Sequence, residues 1–349
     1  MRILLVSDAW APQVNGVVRT LQQVKSECEA LGHRVDVISP DQFRTVPCPT
    51  YPEIRLALRP GRAIGRTIEA LRPDSIHIAT EGPLGIAARR RCMRRALPFT
   101  TSYHTRFPEY VHARFPVPLA LGYAWMRWFH RPSMAVMVAT RSIRRDLEAR
   151  GFVNVADWSR GVDTELFRPD RPPAPLDLPR PVHLYVGRVA VEKNLEAFLS
   201  MPLRGGSKLV VGGGPQLEEL RARYPLVHFA GPRFGEDLAR HYASGDVFVF
   251  PSLTDTFGLV LLEALASGLP VAAYPVPGPL DVIGESGCGV LDPDLALAAE
   301  RALAIPRARC RAYALRFSWR RCAEQFLGNL HPIAEAQADA SAPRRAAAE

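Results

Sequence analysis

At 349 residues the chain is too long for one ordinary core and suits two domains. Its 47% hydrophobic and 23% charged residues are the proportions of a globular protein, and no apolar run reaches the ~18 residues that a membrane-spanning helix needs. The net charge of +9 lies wholly in the first half: residues 1–170 carry 25 Lys+Arg against 16 Asp+Glu, whereas residues 171–349 carry 19 of each.

The chain opens on Ile3–Val6, which reads as a buried strand with no signal-peptide layout before it, so a cytoplasmic location is expected. A loop over Ser7–Gly16 leads to a helix over Val17–Leu31, with Gly32 as its C-terminal cap, and then to a strand over Arg34–Ile38. Strand, loop, helix and strand in that order form a βαβ crossover of Rossmann type. Further strands are predicted over Ser75–Ala79, Phe99–Tyr103 and Ala135–Val138, completing a first domain over 1–168. The proline-rich run at 169–181 can continue neither a helix nor a central strand and reads as a linker.

Alternation resumes with strands over His183–Val186, Leu209–Val211, Val227–Ala230, Val247–Phe250 and Val271–Ala273, a second doubly wound α/β domain over 182–318. A helix over 319–333 precedes an Ala-rich polar tail, 334–349, which is expected to be disordered. Two such domains in tandem place the C-terminal ends of their strands at a cleft, where open α/β sheets bind ligands. The six cysteines are scattered without a C-x-x-C pair, so neither a disulfide framework nor a zinc site is expected.

Four segments carry chemistry. In the stretch Phe250–Pro270, a strand ends at Phe250, a loop holds Asp255, and a helix begins near Gly258 with Glu263 inside it. A helix N-terminus attracts anions, and carboxylates beside it accept hydrogen bonds from sugar or ribose hydroxyls. In Tyr185–Asn194, Arg188 and Lys193 stand five apart behind a strand; a planar guanidinium and a compact ammonium can grip a diphosphate from two sides. In Asp8–Val18, glycine at a helix start (Asn15–Gly16) allows close approach of a backbone N–H to phosphate. His104, in Thr101–Tyr110, stands at the end of a predicted strand. The run Gly212-Gly213-Gly214 is not a G-x-G-x-x-G fingerprint, which argues against a dinucleotide cofactor. Asp292-Pro293-Asp294 reads as a turn rather than a metal-binding D-x-D.

These segments resemble the GT-B retaining glycosyltransferases, the group that contains phosphatidylinositol mannosyltransferases, sulfolipid synthases and GDP-mannose-dependent α-mannosyltransferases. The hallmark P-S-x-x-E-x-F-G-x-x-x-x-E-A-x-A-x-G is matched at every fixed position except its first acid, which here is Asp255. The G-R-x-x-x-x-K motif falls on Gly187, Arg188 and Lys193; H-T-x-F-P-x-Y falls on His104–Tyr110; Arg160–Asp163 and Gly212–Pro215 also occupy family positions. The resemblance implies a GT-B fold of two Rossmann-like domains facing across a cleft, with Asp255 and His104 on the transferred sugar and Glu263 on the ribose. It further places Arg188 and Lys193 on the diphosphate, and Asn15, Gly16 and the backbone of Phe257, Gly258, Leu259 and Val260 around the donor. It implies metal-free transfer with retention, the nucleotide-sugar being a substrate and no cofactor being needed.

The acceptor expected on this resemblance is a membrane lipid such as diacylglycerol, handled by the first domain at an anionic surface, the inner face of the plasma membrane. The residues that suggest it are Arg89-Arg90-Arg91 with Arg94-Arg95, the series Arg59, Arg62 and Arg66, and Trp125–Arg131, where aromatics alternate with cations. Trp125 and Phe129 also fit a core stripe at i, i+4. GDP-mannose, UDP-glucose and UDP-glucuronate all suit the donor motifs. An epimerase or phosphorylase of the same fold, and a basic nucleic-acid-binding protein, are the rival readings; no nucleic-acid motif supports the last.

Overall fold

The computed structural model describes residues 1–13, 15–48, 51–255 and 257–334. Val14, Thr256 and the predicted tail from residue 335 lie outside them. The chain forms two compact units, one of Met1–Ser159 with the segment from Cys322 onward, the other of Arg160–Arg321.

The first unit runs β1 (Arg2–Val6), α1 (Gly16–Ala30), β2 (Arg34–Ile38), β3 (Thr45–Cys48), β4 (Tyr51–Ala57), α2 (Gly61–Leu71), β5 (Ser75–Ile78) and α3 (Pro83–Arg94). It continues through β6 (Thr100–Tyr103), α4 (Phe107–Arg114), α5 (Leu119–His130), β7 (Val136–Val138), α6 (Arg141–Ala149) and β8 (Val155–Asp157). Six strands form one parallel sheet in the order β2-β1-β5-β6-β7-β8. Strands covered on both faces read as continuous apolar runs, as in β1 after Arg2; β5 instead alternates, with Ser75 and His77 buried as polar residues between Ile76 and Ile78. On one face Leu4, Val6, Ile76 and Ile78 pack with Ile64 and Ile68 of α2 and Leu84 and Ala88 of α3. The predicted cap is present: Leu31 N closes on Glu27 O, and Gly32 takes φ +84°.

The second unit runs β9 (Val182–Val186), α7 (Leu195–Ser200), β10 (Ser207–Val211), α8 (Leu217–Arg223), β11 (His228–Gly231), α9 (Gly235–Ala243), β12 (Val247–Phe250) and α10 (Leu259–Ala266). There follow β13 (Val271–Ala273), α11 (Pro277–Val282), β14 (Gly289–Leu291), α12 (Leu295–Ala302) and α13 (Arg307–Ala314), then α14 (Trp319–Asn329), which from Cys322 onward belongs to the first unit. Its parallel sheet has the order β11-β10-β9-β12-β13-β14. The strand order therefore reverses beside β1 in the first unit and beside β9 in the second, and each reversal opens a crevice at the carboxyl ends of the strands.

Two expectations about domain limits are corrected. The proline-rich run has no helix or strand, but it lies on the second unit instead of dividing the units. Proline lacks an N–H yet keeps its carbonyl, and those carbonyls are used: Pro173 O accepts from Arg240 and Pro179 O from Ser207 Oγ at 2.7 Å. Ala174 N donates to Arg240 O at 3.1 Å and to Ser244 Oγ at 3.0 Å. The division falls instead at Ser159/Arg160, and the chain crosses back at Arg321/Cys322 inside α14. There Trp158 Nε1 donates to Cys322 O at 3.2 Å, Ser159 N and Oγ donate to Gln325, and the Phe326 ring meets those of His77 and Trp158.

Candidate active site

In the second unit the motif residues gather at the crevice beside β9. β9 ends at Val186 and delivers Gly187-Arg188; its neighbour β12 ends at Phe250 and delivers the loop 251–258. The two loops are tied together at three points. Lys193 Nζ donates to Asp255 Oδ1 at 2.5 Å, Asn194 Nδ2 to Pro251 O at 3.1 Å, and Thr254 Oγ1 to Glu192 O at 3.3 Å. Asn194 takes φ +52°, a left-handed conformation that asparagine tolerates, and this turns its carboxamide toward Pro251. Arg188 is half-buried, and its carbonyl accepts the Tyr185 phenol at 2.8 Å. Burial, with Asp255 and Glu192 close by, drives the Tyr185 pKa well above its ordinary value, so it stays a neutral donor.

Gly258 caps α10 at φ +81°, a conformation that residues with a Cβ rarely adopt. It turns the chain so that Leu259 and Val260, both half-buried, start the helix, while Phe257 is buried beside them. Glu263 follows inside α10 and is only 3% exposed. Its Oε2 accepts from the Tyr242 hydroxyl at 2.8 Å; Tyr242 is itself fully buried, edge-on to Phe167. A carboxylate so enclosed depends on hydrogen bonds from neighbours, and a ribose diol is a fitting additional donor. Ser252 Oγ is buried with no hydrogen-bond partner among the described residues. The glycine run at 212–214 has a packing cause: a Cβ on Gly212 would stand 1.8 Å from Gly187 O, directly behind Arg188.

The remaining site residues stand in the first unit. Asn15 is the N-cap of α1, its Oδ1 accepting from Val17 N and Val18 N at 3.0 Å each, and Gly16 is the first helical residue. The Asn15 carboxamide oxygen is thus committed to the helix end, a contact worth about 1 kcal/mol to that helix. His104 follows β6 at the carboxyl edge of the sheet, its Nε2 2.8 Å from Ser102 Oγ and its ring edge-on to Trp158. Asp8, at the end of β1, spans to the next crossover and accepts from Thr80 Oγ1, Leu84 N and Gly85 N, capping α3; burial nonetheless raises its pKa. Sequence reasoning assigned no role to Tyr242, Tyr185 or Ser102; isolated hydroxyls carry no spacing signal, although Ser102, in β6, stands two residues before His104.

Two surface expectations divide. Of the arginines on α3, Arg89 is buried: it donates to Phe129 O at 2.9 Å and Trp128 O at 2.7 Å, closing the C-terminus of α5, and lies over the Trp128 ring. Arg91 and Arg95 pair with Glu69, whereas Arg90 and Arg94 are exposed, as are Arg59, Arg62 and Arg66. On α5, Phe129 is core and Trp125 stacks on it, while Trp128 is half-exposed. Asp294 caps α12 through Ala296 N and Leu297 N and its own N–H reaches Asp292, so this pair forms a turn and a cap. Among the described residues no group of three or more His, Cys, Asp and Glu side chains is placed to hold a metal.

Two parallel-sheet units of this topology, with the loop of Lys193 meeting the loop of Asp255 at a strand-order reversal, are those of a glycosyltransferase of the GT-B fold class. Residues 14–166 match the family described as Glycosyltransferase Family 4, and residues 180–305 match Glycosyl transferases group 1. The chain is 32% identical over 318 residues to the GDP-mannose-dependent alpha-mannosyltransferase of Mycobacterium tuberculosis, covering 84% of each chain. It is 28% identical over 332 residues to the alpha-monoglucosyldiacylglycerol synthase of Streptococcus pneumoniae, covering 83% of this chain and 75% of that one. Among solved structures, the sucrose-phosphate synthase of Thermosynechococcus elongatus shares the fold at a TM-score of 0.74 and 22% identity, over 97% of this chain and all of the other. The chain belongs to the group 1 and family 4 glycosyltransferases.

Proposed function

We propose that this glycosyltransferase moves a hexose from a nucleoside diphosphate-sugar to a membrane lipid such as diacylglycerol, with retention at the anomeric carbon and without a metal. The observation that carries the donor half is the junction of Lys193 with Asp255 above α10, whose interior holds Glu263. Lysine has three donors, so Nζ can keep Asp255 while reaching a phosphate oxygen. Arg188 supplies a second cation and the start of α10 supplies N–H groups.

In the reaction the bond from the anomeric carbon to the diphosphate oxygen breaks and a bond to the acceptor oxygen forms on the same face. The departing diphosphate takes the electron pair and accepts the acceptor's proton. Preorganised cations stabilise the charge that builds on it, which is the role proposed for Arg188 and Lys193. His104 and Asp255 would accept hydrogen bonds from the sugar, Glu263 from the ribose, and Asn15–Gly16 would border the donor phosphate. GDP-mannose, UDP-glucose and UDP-glucuronate are the donors to try: relatives are named for GDP-mannose and for glucosyl transfer, and the Anabaena HepE neighbour was solved with UDP-glucose.

A lipid acceptor is supported by the exposed arginines of α2 and α3, by half-exposed Phe107, Phe115 and Trp128, and by exposed Leu121 in the same unit. No described helix is long and apolar enough to cross a membrane, so attachment would be peripheral. Incubating the protein with each labelled donor and a membrane lipid extract tests both halves. Labelled lipid from one donor is the expected product; sugar released only by free phosphate, or no turnover of any donor, defeats the reading.

A further inference from the structure

We infer that Gly278 is a positioning residue for transfer: having no side chain, it lets the start of α11 seat against the Asp255 carbonyl and so sets where the Asp255 carboxylate stands. This rests on the proposed placement of Asp255 at the transferred sugar. Asp255 is held from both strands that flank β12. From the β9 side, the Lys193 ammonium reaches its carboxylate at 2.5 Å. From the β13 side, Gly278 meets its backbone, buried in the first turn of α11. A Cβ on Gly278 would stand 2.7 Å from Asp255 O and 3.5 Å from Phe257 O. Carbon and oxygen in close non-bonded contact lie about 3.3–3.6 Å apart, so an added methyl has to open this contact by roughly half an ångström or more.

The φ of Gly278 is not positive, so no left-handed turn calls for glycine there. The movement falls on Asp255 because α11 is firmly seated. Pro277 fixes the entry to the helix, Ile283 N closes on Pro279 O at 2.9 Å, and the Tyr313 hydroxyl donates to Val282 O at 2.9 Å. Asp255 belongs to no helix or strand. The other donor loop is seated in the same way: Cβ atoms on Gly212 and Gly214, after β10, would stand 1.8 Å from Gly187 O and 2.3 Å from Val189 O. A reacting group has to be held within about half an ångström of its productive place, so a shift of this size at Asp255 lowers the rate.

Gly278→Ala in the full chain tests this. Its kcat should fall about tenfold or more, while free UDP or GDP, which carries no transferred sugar, should bind within about threefold of wild type in a calorimeter. Alanine before a proline also carries a local helix cost, so Pro279→Ala serves as the control and should keep kcat within about twofold. Gly278→Ala with Pro279→Ala removes that cost, keeps the added methyl, and should be as slow as Gly278→Ala alone. In an Asp255→Ala background, itself slow, Gly278→Ala should lower kcat no further. Full kcat in both Gly278 variants beside a slow Asp255→Ala overturns the inference, as does an equal loss of kcat and nucleotide affinity. Full activity of Asp255→Ala would instead remove Asp255 from the sugar, and the inference with it.

Discussion

Lys193 and Asp255 stand 62 residues apart in sequence, yet the ammonium lies 2.5 Å from Oδ1 and joins the loop after β9 to the loop after β12. Both side chains are mostly shielded, 23% and 17% exposed, so the pair is better protected from salt and water than a typical surface contact. The two strongest sequence motifs thus meet at one atom pair, which holds the proposed donor site in shape.

Removing either cation of the proposed diphosphate site, Lys193 or Arg188, should lower activity. Lys193→Ala is expected to lower kcat/KM for the nucleotide-sugar by roughly 10- to 150-fold, the loss of one charge-assisted contact of about 1.5–3 kcal/mol, and Arg188→Ala by a similar factor. Initial rates on the active donor check this. Full activity of the Arg188 variant would remove it from the diphosphate site.

Glu263→Ala should abolish transfer and weaken binding of the free nucleoside diphosphate in a calorimeter. Tyr242→Phe is the milder probe. It removes the hydroxyl that donates to Glu263 Oε2, leaves a buried acceptor short of a partner, and should cost about 1–3 kcal/mol of stability. A Tyr242→Phe protein as stable as wild type in urea would show that the carboxylate does not depend on this bond.

The arginines of α3 should sort by burial. Arg89→Ala should lower stability by about 2–3 kcal/mol, because two carbonyls at the end of α5 lose a charged donor and Trp128 loses its stacking partner. Arg90→Glu with Arg94→Glu should leave the melting temperature within a degree or two and abolish flotation with anionic liposomes at low salt. Wild-type protein that fails to float at low salt would remove the main support for membrane docking.

Acidification should loosen the first unit through His77. The unfolded ring takes up a proton near 6.5 and the folded one only near 3, so its contribution is whole above the first value and is lost as pH falls between the two. By linkage this amounts to roughly 5 kcal/mol at full extent. Urea midpoints measured from pH 7.5 down to pH 4.5 should fall more steeply in wild type than in His77→Gln, which cannot titrate. Parallel slopes would assign the acid sensitivity elsewhere.

The parallel core was readable because strands such as β1 after Arg2 and β12 are buried on both faces and read as continuous apolar runs. The predicted ends of β2 and β12 agree with the structure to the residue. β8 and β14 went unpredicted because they have three residues each and are not fully buried, and the β3–β4 hairpin because polar residues interrupt it. In the site, Arg188, Lys193, Asp255 and Glu263 were legible as a motif, since their spacing follows from two loops at one sheet edge. Arg89 was misread as surface because charge counts cannot distinguish a solvated arginine from one that closes a helix. The linker was misplaced because proline excludes regular structure without excluding contact through its carbonyls.

The seating of Phe326 against His77 and Trp158 has a consequence for biogenesis. On the ribosome, residues 1–159 emerge well before the aromatic ring that completes their interior. Domains usually mature in the order of their synthesis, but here the middle of the polypeptide can finish first while the leading portion waits for its last helix. A fragment ending at Ser159 should accordingly be poorly packed on its own and tighten when a peptide spanning 322–333 is supplied.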